Sequence, residues 1–392
     1  MTERRNKTTK SVGNGEGSLY YSEKLQKWVY YYYIEGIPNR QVLRQKKNEQ
    51  VREFKARVRD LKNKVDNGTY IHNNKETFLE VLQKYIEQKH NDNITGQATY
   101  ERDLSTKKEI EKTCSNFIDK PIQKITIEDI ECSKIEIKKY SKNTINKIWQ
   151  MLYKTFNIAV SRRKIVFNPM NDENLAKPVS EITPQKKKAL TPKEEQKLFE
   201  ALKDNPEQKL YNQAILLQLN IGARIGEVLA LSEDCISLEN TVMKIYRSLT
   251  REKGKYILGK HTKTYDRKTG IDKGKRAFVM TPNATKIVTE LLKQNISNPD
   301  KLLFWDYERN TLISPRRIND YLKSLNDEYK ITDEDLTSHT LRRTFITKCQ
   351  RAGIPVVVIQ AMVGHVEGSE MTDDIYTDVT LDFIREEIKK IA

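Results

Sequence analysis

The chain has 392 residues, room for two or three domains and a sizeable core. Lysine and arginine number 70 against 54 aspartates and glutamates, and the net charge of +16 calls for a polyanionic partner, either nucleic acid or an anionic membrane. No apolar run approaches the roughly 18–20 residues of a membrane-spanning helix, and the basic, polar N-terminus has no signal-peptide core, so the expectation is a cytoplasmic protein with no membrane partner. Cys114, Cys132, Cys235 and Cys349 are scattered and form no metal-ligand pairs, which reads as reduced thiols.

Residues 1–18 mix Lys, Arg, Gly, Asn, Ser and Thr without apolar periodicity and read as a flexible basic arm. Leu19–Tyr21 and the run Trp28–Ile34 favour strands, and Glu35-Gly36-Ile37-Pro38-Asn39 breaks the second run with turn residues. Alternation puts Trp28, Tyr30 and Tyr32 on one face and Val29, Tyr31 and Tyr33 on the other. Strand propensity and a small core account for these tyrosines; the sharper expectation is that Tyr30 and Tyr32 also touch DNA. From Arg40 to Lys64 ten basic residues stand against three acidic ones, while Val51, Phe54, Val58, Leu61 and Val65 recur at helical spacing. That pattern is an amphipathic helix with a basic outer face, and Arg40 and Arg44 join it as candidate DNA contacts.

Residues 75–178 read as helical. Phe78, Leu79, Leu82, Tyr85 and Ile86 recur at three and four, as do Ile145, Ile148, Trp149, Leu152, Phe156 and Ile158. The second of these helices carries Lys142, Lys147, Lys154, Arg162, Arg163 and Lys164 and ends before Asn168-Pro169. A charged face is usually only solvated, but the flanking segments share the bias, so Lys142, Lys147, Arg162 and Arg163 are expected at DNA. Residues 179–190, with prolines on either side of Val179–Thr183 and three consecutive lysines, form a linker. Thr191 as N-cap, Pro192 at the first helical position and Glu194 closing a capping box start the next helix, and 191–392 is long enough for one catalytic domain.

Tyr211–Asn220 is an apolar helix that Gly222 ends just before Arg224. An arginine there is costly to bury without a carboxylate or an anion, and Glu227 can satisfy and orient it, although a plain Arg–Glu pair is the simpler alternative. Thr241–Leu249, Lys255–Leu258 and Arg276–Met280 alternate like short strands, with Lys260–Thr264 entering a long turn and Lys273, Lys275 and Arg276 leaving it. A lysine facing a cleft there can protonate a departing alkoxide, although most such lysines are only solvated. Thr337 or Ser338 caps a helix that carries His339 and Arg342 on one face, and Val357, Ile359, Met362 and Val363 build the next helix up to Gly364-His365. Tyr376 follows 11 residues later, ahead of an amphipathic segment bearing Ile384, Ile388 and Ile391. Two arginines, two histidines, lysines and a phenol suffice to attack a phosphodiester with a tyrosine and no metal, because guanidinium forks match phosphate oxygens and a phenol with pKa about 10 needs a cationic pocket. Tyr329 and Tyr321 are the next candidate nucleophiles.

The order Arg224, Glu227, hairpin lysine, His339-x-x-Arg342, His365, Tyr376 resembles the tyrosine recombinase (phage integrase) family, in particular the arm-bearing integrases of temperate phages and conjugative transposons. Gly222–Leu231 looks like the family's first arginine box, His339–Phe345 like its second, and Val363-Gly364-His365 with Tyr376 like its last. Arg343 stands where the family often has histidine, the spacing from His365 to Tyr376 is slightly long, and so is the hairpin turn. The resemblance implies a multidomain α+β protein. Its parts are a three-stranded sheet plus helix that binds arm sites (1–70), a helical SAM-like core-binding bundle (75–178) and a mainly helical catalytic domain with a small β-sheet (191–392). It further implies that Arg224, Arg342, His339 and His365 hold the scissile phosphate, with Glu227 in support. Lys263, in a Thr-Lys-Thr context, is the leaving-group acid with Lys275 as alternative, and Tyr376 is the nucleophile. The implied activity is DNA integration and excision by a homotetramer on paired double-stranded sites, without a cofactor. An excision factor or a host DNA-bending protein would be a further partner. A type IB topoisomerase-like enzyme and a non-catalytic architectural protein are the alternatives.

Overall fold

In the computed structural model the described residues are 17–33, 40–67, 70, 75–92, 94–183, 188–266, 269–294, 297–364 and 380–391. The chain divides into two compact units, one formed by residues 1–96 and 100–184 and the other by 97–99 and 185–392.

The first unit begins with strands β1 (Ser18–Ser22), β2 (Lys27–Tyr32) and β3 (Gln41–Arg44) in an antiparallel sheet, Leu19 opposite Tyr30 and Tyr30 opposite Leu43. Helix α1 (Val51–Asp66) follows, its first turn closed by a capping box between Gln50 and Glu53. The period-two alternation of β2 puts Tyr30 and Tyr32 on the face that packs against Phe54 and Val58 of α1. Their rings stack at 5.5 Å and are only 3% and 8% exposed. Arg40 and Arg44 flank and end a strand rather than sit on the helix, because Gln41–Arg44 pairs with Val29–Tyr32.

Four helices make a second core in this unit: α2 (Phe78–Asn91), α3 (Gln97–Thr113), α4 (Ile127–Ile137) and α5 (Lys142–Ser161). Thr77, Thr126 and Ser141 accept from backbone N–H groups at the starts of α2, α4 and α5. Phe78 sits in the centre, its ring 5.4 Å from that of Phe117 and 5.0 Å from that of Phe156. Truncating one such ring costs about 3–5 kcal/mol.

The second unit opens with α6 (Pro192–Asp204), where Thr191 and Glu194 form the expected capping box. Next come α7 (Lys209–Ile221) and the single turn α8 (Ile225–Val228). Strands β4 (Ile236–Ser237), β5 (Val242–Ile245) and β8 (Arg276–Val279) form one sheet in the order β4-β5-β8, and β6 (Leu249–Glu252) with β7 (Lys255–Leu258) forms a separate hairpin. The single strand expected over Thr241–Leu249 is broken, because Arg247 turns its guanidinium back onto the Ala230 carbonyl and the Ser232 hydroxyl. The remainder is α9 (Pro282–Leu292), a short pair β9 (Trp305–Asp306) and β10 (Thr311–Leu312), and helices α10 (Pro315–Tyr329), α11 (Ser338–Arg351), α12 (Val356–Val363) and α13 (Leu381–Ile388). Helix α7 packs against α9 and α11 around a core that includes Leu217, Phe278 and Phe345. Ile384 and Ile388 bury the apolar face of α13 in that same core, so the C-terminal helix lies on its own unit. Among the described residues no helix is long and apolar enough to cross a membrane.

Candidate active site

Helix α7 ends at Gly222, whose φ of +60° supplies the left-handed C-cap, and the chain turns at once into Arg224, the N-cap of α8. Both oxygens of Glu227, three residues on, are used. Oε1 accepts Arg224 Nη1 at 2.9 Å, and Oε2 accepts the Arg224 backbone N–H at 3.0 Å. Glu227 Oε2 also accepts Nη2 of Arg276, at the start of β8, at 2.8 Å. Glu227 is 1% exposed. Burial opposes its charge, yet Arg276 and then Arg224 outweigh burial and hold the carboxyl below its usual range.

Arg342 lies one turn into α11 and is 6% exposed. It donates to the carbonyls of Gly222 (3.0 Å) and Val363 (2.8 Å), which ties the end of α7 to the end of α12. Burial, reinforced by the charge of Arg224, pushes its pKa down to about 10, so it stays protonated at neutral pH. Among the described residues of this cluster, three guanidinium groups surround one carboxylate. Arg224 and Arg276 hydrogen-bond that carboxylate while Arg342 donates to carbonyls, so the net positive charge favours an anion beside it.

Arg224, Lys263 and His339 line one cavity of about 310 Å³, together with Gln218, Ser248 and Ser338. His339 is exposed in the first turn of α11, and Lys263 reaches the cavity from the turn after β7. Lys275, at the other end of that turn, is exposed and is not among the lining residues. The described backbone stops at Gly364, whose carbonyl lies 3.4 Å from Arg224 Nη2; His365 and Tyr376 lie outside the described residues. The two reserve tyrosines belong elsewhere. Tyr321 donates to Asn212 at 2.9 Å, burial pushing its pKa up to about 12, and the Tyr329 hydroxyl accepts from Asn205.

The expected DNA contacts divide. Tyr30 and Tyr32 are in the core beneath the sheet, because α1 packs on the face that they share. The opposite face carries Tyr20 stacked on Tyr31 at 5.6 Å, with the Arg40 guanidinium 3.8 Å from the Tyr31 ring centre. Arg40, Arg44, Lys142, Lys147, Arg162 and Arg163 are all exposed. The sequence reading missed Arg276 as a member of the cluster. It donates to the carbonyls of Met362 (2.7 Å) and Gly274 (2.9 Å) as well as to Glu227, and nothing in its local pattern set it apart from its lysine neighbours.

Comparison with known proteins bears on the family and the fold. Residues 188–382 match the phage integrase family. A transposase from transposon Tn916 of Enterococcus faecalis is 29% identical over 266 residues, which cover 64% of this chain and 62% of that relative, less than two thirds of its length. Among solved structures, the fold is shared with an integrase of transposon Tn1549 in complex with a circular intermediate DNA (TM-score 0.62, 22% identity, 80% of this chain and 99% of that one). It is also shared with a lambda integrase dimer bound to a COC′ core site (TM-score 0.55, 16% identity, 95% of this chain and 96% of that one). The ordered boxes, the arginine cluster and these likenesses converge: residues 188–382 are a domain of the phage integrase family.

Proposed function

We propose that the protein is a site-specific DNA recombinase that integrates and excises a mobile element through a 3′-phosphotyrosine intermediate. The observation that carries this reading is the cluster of Arg224, Arg276 and Arg342 around the buried Glu227, an anion-seeking pocket beside Lys263 and His339. Tyr376 attacks the scissile phosphorus. The phenol proton passes to solvent as the O–P bond forms, the bond from phosphorus to the 5′ oxygen breaks, and Lys263 delivers a proton to that oxygen. Arg224, Arg342, His339 and His365 stabilise the charge that grows on the phosphorane, and losing one such donor costs about 10²–10³ in rate. A 5′-hydroxyl from the partner strand reverses the step. The ester bond is conserved on the protein, so no high-energy cofactor enters.

Double-stranded DNA is the partner. Residues 75–178 bind the core site with Lys142, Lys147, Arg162 and Arg163 on the backbone, and residues 191–392, joined to them by 179–190, carry the chemistry. Residues 1–70 take a separate arm site through the exposed side of the sheet, with Arg40 and Arg44, and not through Tyr30 and Tyr32. Two duplexes are cut, so the working assembly is a homotetramer on paired sites, and the reaction belongs in the cytoplasm. An excision factor and a host DNA-bending protein are the further partners to test by addition.

Tyr376→Phe removes one oxygen and no charge. It is expected to abolish covalent attachment to a nicked suicide duplex on denaturing gels while leaving site binding nearly intact. Adduct persisting in the variant would assign the nucleophile elsewhere. Relaxation of single sites without exchange between paired ones would mark a topoisomerase instead, and wild-type binding without any adduct would mark an architectural protein.

A further inference from the structure

The long turn between β7 and β8 is closed on itself by one buried carboxylate. Asp272, whose side chain is 2% exposed, accepts the Thr262 backbone N–H at 2.8 Å through Oδ2. Its Oδ1 accepts the Thr262 hydroxyl and the Gly274 N–H, the latter at 3.1 Å. The backbone of Asp272 also bridges to Tyr265, and the Tyr265 N–H returns to the Thr262 carbonyl at 3.3 Å. The His261 ring stacks on Tyr265 at 3.7 Å, nearly parallel, with Nδ1 4.0 Å from Asp272. Gly274 is required by this closure: a Cβ there would fall 2.0 Å from the Thr262 hydroxyl and 2.4 Å from that of Thr264.

Lys263 sits between the two threonines so held. Its side chain is long and exposed, with several rotatable bonds, so fixing the backbone that carries it narrows where its ammonium can reach. The residues that do so are across the turn, with Asp272 at their centre. The charged acceptor makes these hydrogen bonds stronger than neutral ones. The same closure leaves Lys275 away from the cavity wall that Lys263 joins.

We propose that Asp272 is a positioning residue for the leaving-group acid: by clasping Thr262 and Gly274 it holds Lys263 at the scissile phosphate. The proposal rests on the reading of Lys263 as that acid. A misplacement of about 1 Å at a reacting group costs up to about 10² in rate, so the clasp is expected to matter to the chemical step more than to folding.

The discriminating substrate replaces the 5′-bridging oxygen by sulfur, whose thiolate leaves without a proton. Single-turnover cleavage by the full-length chain is measured on nicked duplexes carrying the core site, with oxygen or with sulfur, for Lys263→Ala, Asp272→Ala, Asp272→Asn and Lys263→Ala combined with Asp272→Ala. Duplex affinity and Tm are followed alongside. The expected result is that Asp272→Ala is about 10- to 100-fold slow on the oxygen substrate, close to wild type on sulfur, and adds nothing to Lys263→Ala. Equal losses on both substrates, or wild-type cleavage of oxygen, would overturn the clasp. Should Asp272→Ala lower Tm enough to confuse the comparison, Thr262→Val removes only the hydroxyl donor and must show the same oxygen-selective defect at smaller size. If Lys263→Ala itself is not rescued by sulfur, the acid assignment fails first. If Lys263→Ala is rescued and Asp272→Ala is not, the clasp alone is wrong.

Discussion

Arg276 gives its guanidinium hydrogens to Glu227, Met362 and Gly274 and does not line the cavity where Arg224 and Lys263 meet. Its effect on catalysis must pass through Glu227, which orients Arg224. Arg276→Ala is therefore expected to slow single-turnover cleavage by about 10²-fold while duplex affinity changes only a few-fold, and to lower stability because breaking a buried pair costs about 3–5 kcal/mol. Parallel losses in affinity and cleavage would make Arg276 a direct DNA anchor instead. Arg342 supplies a second test. Its folded pKa, about 10, lies below the ordinary 12.5, so the unfolded chain holds that proton more tightly. The charged form therefore opposes folding at neutral pH. That penalty is relieved as pH rises through about 10, or at any lower pH when an anion arrives. Sulfate is accordingly expected to raise Tm at pH 7, and Arg342→Ala to blunt the rise; an undiminished sulfate effect in the variant would remove Arg342 from the anion site.

Two elements decide how the site and the sheet are presented. The end of α7 delivers Arg224 only because Gly222 adopts a left-handed turn, and a Cβ there would stand 2.2 Å from the Phe345 ring. Gly222→Ala must bear a strained φ, worth about 1–3 kcal/mol, and displace Phe345 as well. Urea unfolding is expected to show a clear fall in midpoint, and an unchanged midpoint would mean the turn relaxes freely. In the N-terminal sheet the burial of Tyr32, whose hydroxyl lies 3.1 Å from that of Tyr70, separates structure from recognition. Tyr32→Phe is expected to leave arm-site affinity nearly unchanged, whereas Arg40→Ala weakens it and reduces the salt slope by about one. Loss of affinity in Tyr32→Phe without loss of Tm would return the tyrosine face to the DNA.

At the scale of the whole molecule, the basic sheet-and-helix module and the catalytic unit have separate apolar cores. A fragment of residues 1–70 is expected to shift duplexes that carry arm sites. If it makes about five phosphate contacts, its log affinity should fall with log salt at a slope of roughly −4 to −5. Fragment 75–392 should still cleave core-site DNA but lose the advantage of substrates with flanking arm sites. Recombination by full-length and truncated protein on substrates with and without those flanks tests this. Truncation without effect on either substrate would leave a single-site recombinase.

By itself the sequence determined what depends on local order. The capping box at Thr191–Glu194, the helix stop at Gly222, the amphipathic helices and the ordered boxes around Arg224, His339 and Arg342 are short-range patterns of hydrogen bonding and periodicity, and they carried the family with them. Sheet partners and buried charge were decided only in three dimensions. Alternation marks two faces of β2 but cannot say which of them α1 covers, and that choice put Tyr30 and Tyr32 inside. Arg276 resembled its surface lysine neighbours until β8 paired with β5 and brought it beside Glu227, 49 positions away in the chain. Lys263, and not Lys275, lines the cavity with Arg224 and His339, a difference that the sequence of the turn does not carry. Each of these depends on long-range closure, where a buried polar group must find its partner wherever the fold places one.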